Sequence, residues 1–220
     1  MLSLRISRRV LFAALFLIVA GCSVERNLKL DARLSLSPAF QPIPVRVGVF
    51  YSPEFLAATK KIELKCRPNE RTDIFFIFPL GQASSELFDQ IAASIFASVR
   101  RLSGRVPSAD EKGTVDGVLE LRIVAFEWKP QCPQEKSYHI LSRISYTVNL
   151  FDPDGRLITS AGISGVGSEK PKPCFSGCKD SYATERAIRD AMADFMLRFF
   201  ERPEVKEWLS KRNMPEGSLP

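Results

Sequence analysis

Reduced to apolar and polar positions, the chain changes period several times, and each change marks an element. Residues 28–36, LKLDARLSL, set Leu28, Leu30, Ala32, Leu34 and Leu36 against Lys29, Asp31, Arg33 and Ser35. Period two over this length predicts a half-buried strand. PVRVGVFY repeats the pattern with Val45, Val47, Val49 and Tyr51 on one side. Residues 52–73 are polar and mixed and predict a long hairpin or excursion, and DIFFIFPLG after them is a short apolar run of the buried-strand type. From residue 84 the step becomes three and four: Leu87, Phe88, Ile91, Ile95, Val99 and Leu102 share one helical face. Ser84 or Ser85 would cap this helix, Glu86 and Asp89 suit its first turn, Arg100 and Arg101 its last, and Gly104 would end it.

Period two then returns twice. VDGVLELRIVAFEW alternates Leu119, Leu121, Ile123 and Ala125 against Glu120 and Arg122, and SRISYTVNLF alternates Ile144, Tyr146, Val148 and Leu150 against polar residues. Asp152-Pro153-Asp154-Gly155 is a turn: proline presets φ near −65° and glycine tolerates positive φ. RLITSAGISGVGS is the returning strand, weakened by three glycines. A last helical stripe joins Ala187, Ile188, Ala191, Met192, Phe195, Met196 and Phe199, and Val205, Trp208 and Leu209 add a short turn. Helices interleaved with a meander predict an α+β fold. Its expected form is one mixed, largely antiparallel sheet of about five to six strands with two helices packed on one face.

The first residues are of another kind. Arg5, Arg8 and Arg9 precede eleven apolar residues, Val10–Ala20. That run is too short to span a bilayer, which takes about 20 residues, and it has the n-region and h-region of a secretory leader. Val19-Ala20-Gly21-Cys22 resembles the lipobox of bacterial lipoproteins. The resemblance implies cleavage between Gly21 and Cys22 and acylation of the Cys22 thiol, whose thiolate is the nucleophile. Several acyl chains on one cysteine hold a protein durably at a membrane. Ser23 stands where an aspartate would suggest inner-membrane retention, so the implied site is the periplasmic face of the outer membrane. The expected organisation is a signal peptide over 1–21, a lipidated tether over 22–27, a single domain over 28–210 and a polar tail over 211–220. Removing three leader arginines from 31 Lys+Arg leaves 28 against 25 Asp+Glu. No basic stripe with interleaved aromatics remains to bind nucleic acid.

A helix followed by GTVDGVLELRI and a polar-turned hairpin resembles, more weakly, the small α/β domain of the curli-secretion lipoprotein and the TolB N-terminal domain. Those families often carry an Ala-Asp-aromatic-hydrophobic lead into this strand. Here Val115-Asp116-Gly117-Val118 matches only in the aspartate and the strand. The resemblance spans about residues 43–200 and implies envelope assembly or scaffolding rather than a reaction.

Four further cysteines, Cys66, Cys132, Cys174 and Cys178, are an even set for an oxidising compartment. If the Val45 and Leu119 strands run parallel, all four thiols, carried on three segments, gather at one pole. Cys66–Cys132 closes a long loop, for about 4 kcal/mol, and Cys174–Cys178 a short one, for about 2 kcal/mol. The crossed pairings score at least as well, so entropy does not choose. The expected pairs are Cys66–Cys132 and Cys174–Cys178, because the short loop keeps its partners close. A four-cysteine zinc site is the sharper alternative, but only CFSGC has knuckle spacing, so no metal is expected.

His139 is the single histidine, at a strand mouth, and no nucleophile motif such as G-x-S-x-G accompanies it. Glu120 and Glu127 fall on opposite faces of a period-two strand, and no glycine-rich phosphate loop is present. Neither catalytic residues nor a cofactor are expected. The expected function is a non-enzymatic, outer-membrane-anchored lipoprotein serving an envelope complex as assembly, scaffolding or accessory subunit. Its partners would be the membrane, through acylated Cys22, and an envelope protein or a second copy. The alternative is a lipoprotein holding a lipid or glycan against its sheet. Partner-binding candidates are Lys61, Lys136 and Lys172, on long loops of the cysteine pole.

Overall fold

Three long antiparallel strands frame the molecule, and everything else is placed against them. The computed structural model describes residues 24–32, 41–64, 74–131, 139–169 and 181–212. Their strands are β1 (Val24–Asn27), β2 (Ile43–Phe50), β3 (Lys60–Leu64), β4 (Ile74–Phe78), β5 (Phe96–Leu102), β6 (Gly117–Gln131), β7 (His139–Phe151) and β8 (Leu157–Glu169). The helices are α1 (Pro53–Leu56), α2 (Leu80–Ile95), α3 (Tyr182–Arg198) and α4 (Pro203–Ser210). The fold is α+β. A mixed five-stranded sheet runs in the order β5-β2-β6-β7-β8, with β2 parallel to both β5 and β6 and the rest antiparallel. A smaller sheet, β1-β4-β3, packs Phe76 and Phe78 against Trp128 of β6, with ring centroids 5.3 and 5.5 Å apart.

Helices α2 and α3 cover one face of the large sheet. Val45, Val47 and Val49 of β2, Leu119 and Leu121 of β6, and Ile144, Tyr146 and Val148 of β7 are buried there against Leu87, Phe88, Ile91, Ile188, Met192 and Phe195. Ser84 of α2 meets the buried Tyr146 hydroxyl at 2.7 Å, satisfying two polar groups at once, and burial pushes the Tyr146 phenol up. Glycines in β8 are contacts, not weak points. A Cβ on Gly165 would stand 2.1 Å from the Ala187 carbonyl and 2.2 Å from the Ala191 nitrogen, and one on Gly167 would stand 1.9 Å from the Ala183 carbonyl. Glycines facing a row of alanines let the α3 backbone lie directly on the strand.

Several boundaries differ from the periodicity. The helix expected to run to Arg101 stops at Ile95, and Phe96–Leu102 continues without a loop as β5. Pairing with β2 decides this, because Ile95, Val99 and Leu102 satisfy a helical step while FASVRRL can equally lie beside β2. Pro79, not Ser84 or Ser85, precedes the helix, and both serines lie inside it. Val24–Asn27, expected in the tether, form β1, and residues 28–32 of the expected first strand have no regular structure although Leu28, Leu30 and Ala32 pack on the core. In the excursion, Ser52 caps α1 by accepting from Phe55 N at 3.2 Å, and Lys61 lies in β3. Arg212, expected in the tail, stacks over Trp208 at 4.6 Å and donates to the Asp116 carbonyl. No helix of the described residues is long and apolar enough to cross a membrane.

Candidate functional site

Among the described residues, no helix covers the second face of the large sheet. Along β8 the residues pointing away from α3 are Ser160, Gly162, Ser164, Val166 and Ser168, all exposed. Register sets them in rows with β7 and β6: Ser160 beside Asn149 and Glu120, Gly162 beside Thr147 and Arg122, Ser164 beside Ser145 and Ala125, Val166 beside Arg143 and Glu127. A half-solvated antiparallel sheet reads as alternating apolar and polar residues, and this one does. Its uncovered side is flat and rich in hydroxyls. Arg122 lies near its middle, and no described residue pairs with it.

A bulge alters the carboxylates. The β6–β7 register shifts between Ile123 and Ala125, with Val124 as the extra residue, 65 % exposed. One added residue exchanges the two faces beyond it. Glu120 and Glu127, expected on opposite sides, therefore share the uncovered face. They remain roughly 20 Å apart along the strand, too far to act as a pair. Glu120 is buried, accepting from Arg105 Nη2 at 2.7 Å and Asn149 Nδ2 at 2.9 Å. Arg105 also lies over the Phe151 ring at 4.9 Å, so the loop before β6 is latched onto one end of the face. Glu127 pairs with Lys129 and, at 3.9 Å, with Arg143, and its carboxyl lies below the usual range chiefly through the Lys129 hydrogen bond.

The two sheet edges are unlike. On β8, Ser164 N donates to Asp194 Oδ2 at 3.2 Å and Val166 N to Asp190 Oδ2 at 2.9 Å, while Arg186 Nη1 donates to the Ser168 carbonyl at 3.3 Å. Side chains of α3 thus occupy edge groups that a further strand would need. On β5, Ala97, Ser98, Arg100 and Arg101 are exposed and no described strand lies beyond. Arg101 is held at Asp89, whose other oxygen accepts from Tyr51 at 2.7 Å. Burial, then the Asp89 charge, push the Tyr51 phenol up.

Of the residues singled out from sequence, Lys61 is half-exposed, paired with Glu25 and 4.2 Å from the Phe75 ring centre. His139 opens β7 opposite Gln131 and is half-buried. Cys22, Cys66, Cys132, Cys174, Cys178, Lys136 and Lys172 lie outside the described residues, as does Gly21. The strand ends from which the segments with Cys66, Cys132 and Cys174 leave are paired within each sheet. Leu64 and Ile74 are register partners in the small sheet, Gln131 pairs with His139, and Glu169 pairs with Ile140 beside it. No group of three or more metal-type ligands occurs among the described residues. The bulge and the open β5 edge were not anticipated. An uncovered face follows from two helices packed on one side, and its polarity had a signal in the run of Ser, Thr and Gly at alternate positions of β7 and β8.

No protein-family model and no curated protein matches the chain. Among solved structures it is similar to a DUF330 protein from Xanthomonas campestris, at 12% identity and TM-score 0.45, covering 84% of this chain and 98% of that one. It is also similar to a minor lipoprotein from Acinetobacter baumannii, at 10% identity and TM-score 0.38, covering 78% of this chain and 96% of that one. A PelC dodecamer from Paraburkholderia phytofirmans shares 14% identity at TM-score 0.31, over 72% of this chain and 94% of that one. At such scores the likeness decides nothing about function.

Proposed function

We propose that the chain is a non-enzymatic lipoprotein of the outer membrane, anchored at the periplasmic face by acylated Cys22, that serves an envelope complex as an accessory or assembly subunit. The observation that carries this reading is the uncovered sheet face. Beyond the end covered by the loop before β6, its three long strands offer a surface of roughly 30 Å by 15 Å. That area, about 450 Å², is about half of the ~800 Å² one partner contributes to a standard interface, the size of a weak or accessory contact. Thr147, Asn149, Ser160 and Ser164 provide hydrogen bonds across it, and Arg122, which no described residue pairs with, is of the residue type enriched at interfaces.

The same polarity separates the two ligands of the alternative reading. A lipid held against the sheet needs a contiguous apolar patch, whereas Val124 and Val166 stand singly among polar neighbours. A glycan would find hydroxyl and amide partners there. A photo-crosslinking residue at Thr147, compared with one at Leu197 on the exposed side of α3, tests the docking surface in intact cells. Adducts with a discrete envelope protein are expected from Thr147 and should disappear with Arg122→Glu. Adducts from Leu197 alone would refute it. The anchor is tested by Cys22→Ser, which should leave the protein uncleaved or shed from the outer membrane; unchanged processing and fractionation would refute the lipobox.

A further inference from the structure

The described fold begins two residues after Cys22. β1 buries none of its four side chains, so apolar burial does not hold it in place. It is held by the parallel ladder to β4, from Val24 beside Ile74 to Asn27 beside Ile77, and by the residues that follow. Leu28 N donates to the Ile77 carbonyl at 3.0 Å, Asp31 N donates to Glu185 Oε1 at 3.1 Å, and Leu28, Leu30 and Ala32 pack on the core. Only Ser23 separates Cys22 from this ladder. Whatever its path, the two Cα–Cα steps from Cys22 to Val24 reach at most about 7 Å.

The position of Val24 follows from ring contacts. Phe76 lies against Trp128 at 5.3 Å, and two residues later Phe78 lies against both Trp128 at 5.5 Å and Phe126 at 5.3 Å between ring centroids, so the contacts step back along β6. Moving back along β4 toward Ile74 is therefore moving forward along β6 toward Gln131. Val24, Ile74 and Leu64 form one row across the small sheet. That row lies at the pole where β6 ends, β7 begins and β8 ends. The opposite pole carries the Asp152–Gly155 turn, roughly 40 Å away along the 13 residues of β7.

We propose that the pole marked by Val24, Leu64, Ile74, Gln131, His139 and Glu169 rests on the lipid surface, with the Asp152–Gly155 turn farthest from it. This rests on the lipoprotein reading of Cys22 and goes beyond it. A conventional flexible tether would let the domain tumble, whereas a one-residue link into a hydrogen-bonded ladder ties one named end of the fold to the headgroups. The uncovered face then stands sideways to the membrane, open to a partner in the periplasm, and the far turn projects into it.

Lys129 near the pole and Asp154 in the far turn have side chains 65% and 66% exposed, so a donor fluorophore introduced at either leaves the core untouched. The acylated full chain is placed in phosphatidylglycerol–phosphatidylethanolamine vesicles bearing an acceptor on a headgroup. Energy transfer from position 129 is expected to exceed that from position 154 several-fold. Equal transfer, or stronger transfer from position 154, overturns the orientation. The mass of the N-terminal peptide reports acylation separately. An unmodified Cys22 overturns the lipoprotein reading and the inference with it, whereas an acylated chain with equal transfer overturns the orientation alone.

Discussion

Gly165→Ala should cost this protein about 2 kcal/mol, while Gly162→Ala, three residues earlier on the same strand, should cost nothing. At position 165 the new methyl would meet the Ala187 carbonyl at 2.1 Å and the Ala191 nitrogen at 2.2 Å, where ordinary contact begins near 3.4 Å. Both neighbours are helix backbone and cannot rotate away, so α3 must retreat by roughly 1 Å, an overpacking of the kind that costs 1–3 kcal/mol. Retreat also loosens Ile188, Met192 and Phe195 from the sheet, which places the cost toward about 3 kcal/mol. Reduced freedom of the unfolded chain returns about 0.4–1 kcal/mol, leaving the net near 2. A Cβ on Gly162 meets nothing within 4 Å, so only the favourable term acts there, and about 0.5 kcal/mol of stabilisation is expected. Urea denaturation with a fixed slope reads both values, and thermal melting should show a drop of about 4–8 °C for the first. Equal effects from the two alanines would refute the claim that α3 lies directly on the glycines of β8.

Two further outcomes concern charge. The Arg46 hydrogen bond, followed by burial acting oppositely, leaves the Asp116 carboxyl below its ordinary value. Its folded pKa is depressed, so its contribution is present above the unfolded value near 4 and is lost as pH falls through the folded one. Denaturation midpoints taken from pH 6 down to pH 2 should therefore fall less steeply for Asp116→Asn than for the unmodified chain, and parallel curves would contradict the pairing. Arg105→Ala should destabilise by about 2 kcal/mol, because it strips a buried Glu120 of its cation, whereas Arg46→Ala, at an exposed and solvent-screened pair, should cost clearly less. A chemical-denaturation comparison that ranks them the other way would show that Glu120 is not held through Arg105.

Much of this architecture can be read from the chain, and what cannot has a physical cause. β7 and β8 were legible because one face is buried and the other solvated, which imprints an alternation over Ile140–Leu150 and again over Thr159–Ser168. The α3 stripe was legible for the same reason at helical period. β5 was not, since its apolar residues satisfy a helical step and only the parallel partner β2 decides otherwise. β1 left no trace because VERN has no apolar pattern and is held by its backbone ladder to β4 and the Glu25–Lys61 ion pair. The bulge at Val124 is silent in composition, yet it exchanged the faces of every residue after it and brought Glu127 to the side of Glu120. For the candidate site, alternate serines on β8 announced a solvated face, but whether a helix would cover it depends on α2 and α3 choosing the other side.

The unequal edges restrict how the large sheet can take part in an assembly. Asp190 and Asp194 are poised on the backbone nitrogens of Val166 and Ser164, so a strand adding at β8 would have to displace two carboxylates already hydrogen-bonded there. Extension through β5 meets no such block. Two copies joined by β5, however, would set four arginines along one short ladder, because FASVRRL holds Arg100 and Arg101 and no acid. Like charges close across a ladder are destabilising. Arg101 is partly neutralised by Asp89, but Arg100 has no such hydrogen-bonded carboxylate among the described residues. Among the described residues, the β5 edge therefore disfavours pairing with a second β5, whereas Arg122 on the uncovered face is flanked by Thr147 and Gly162 rather than by another cation.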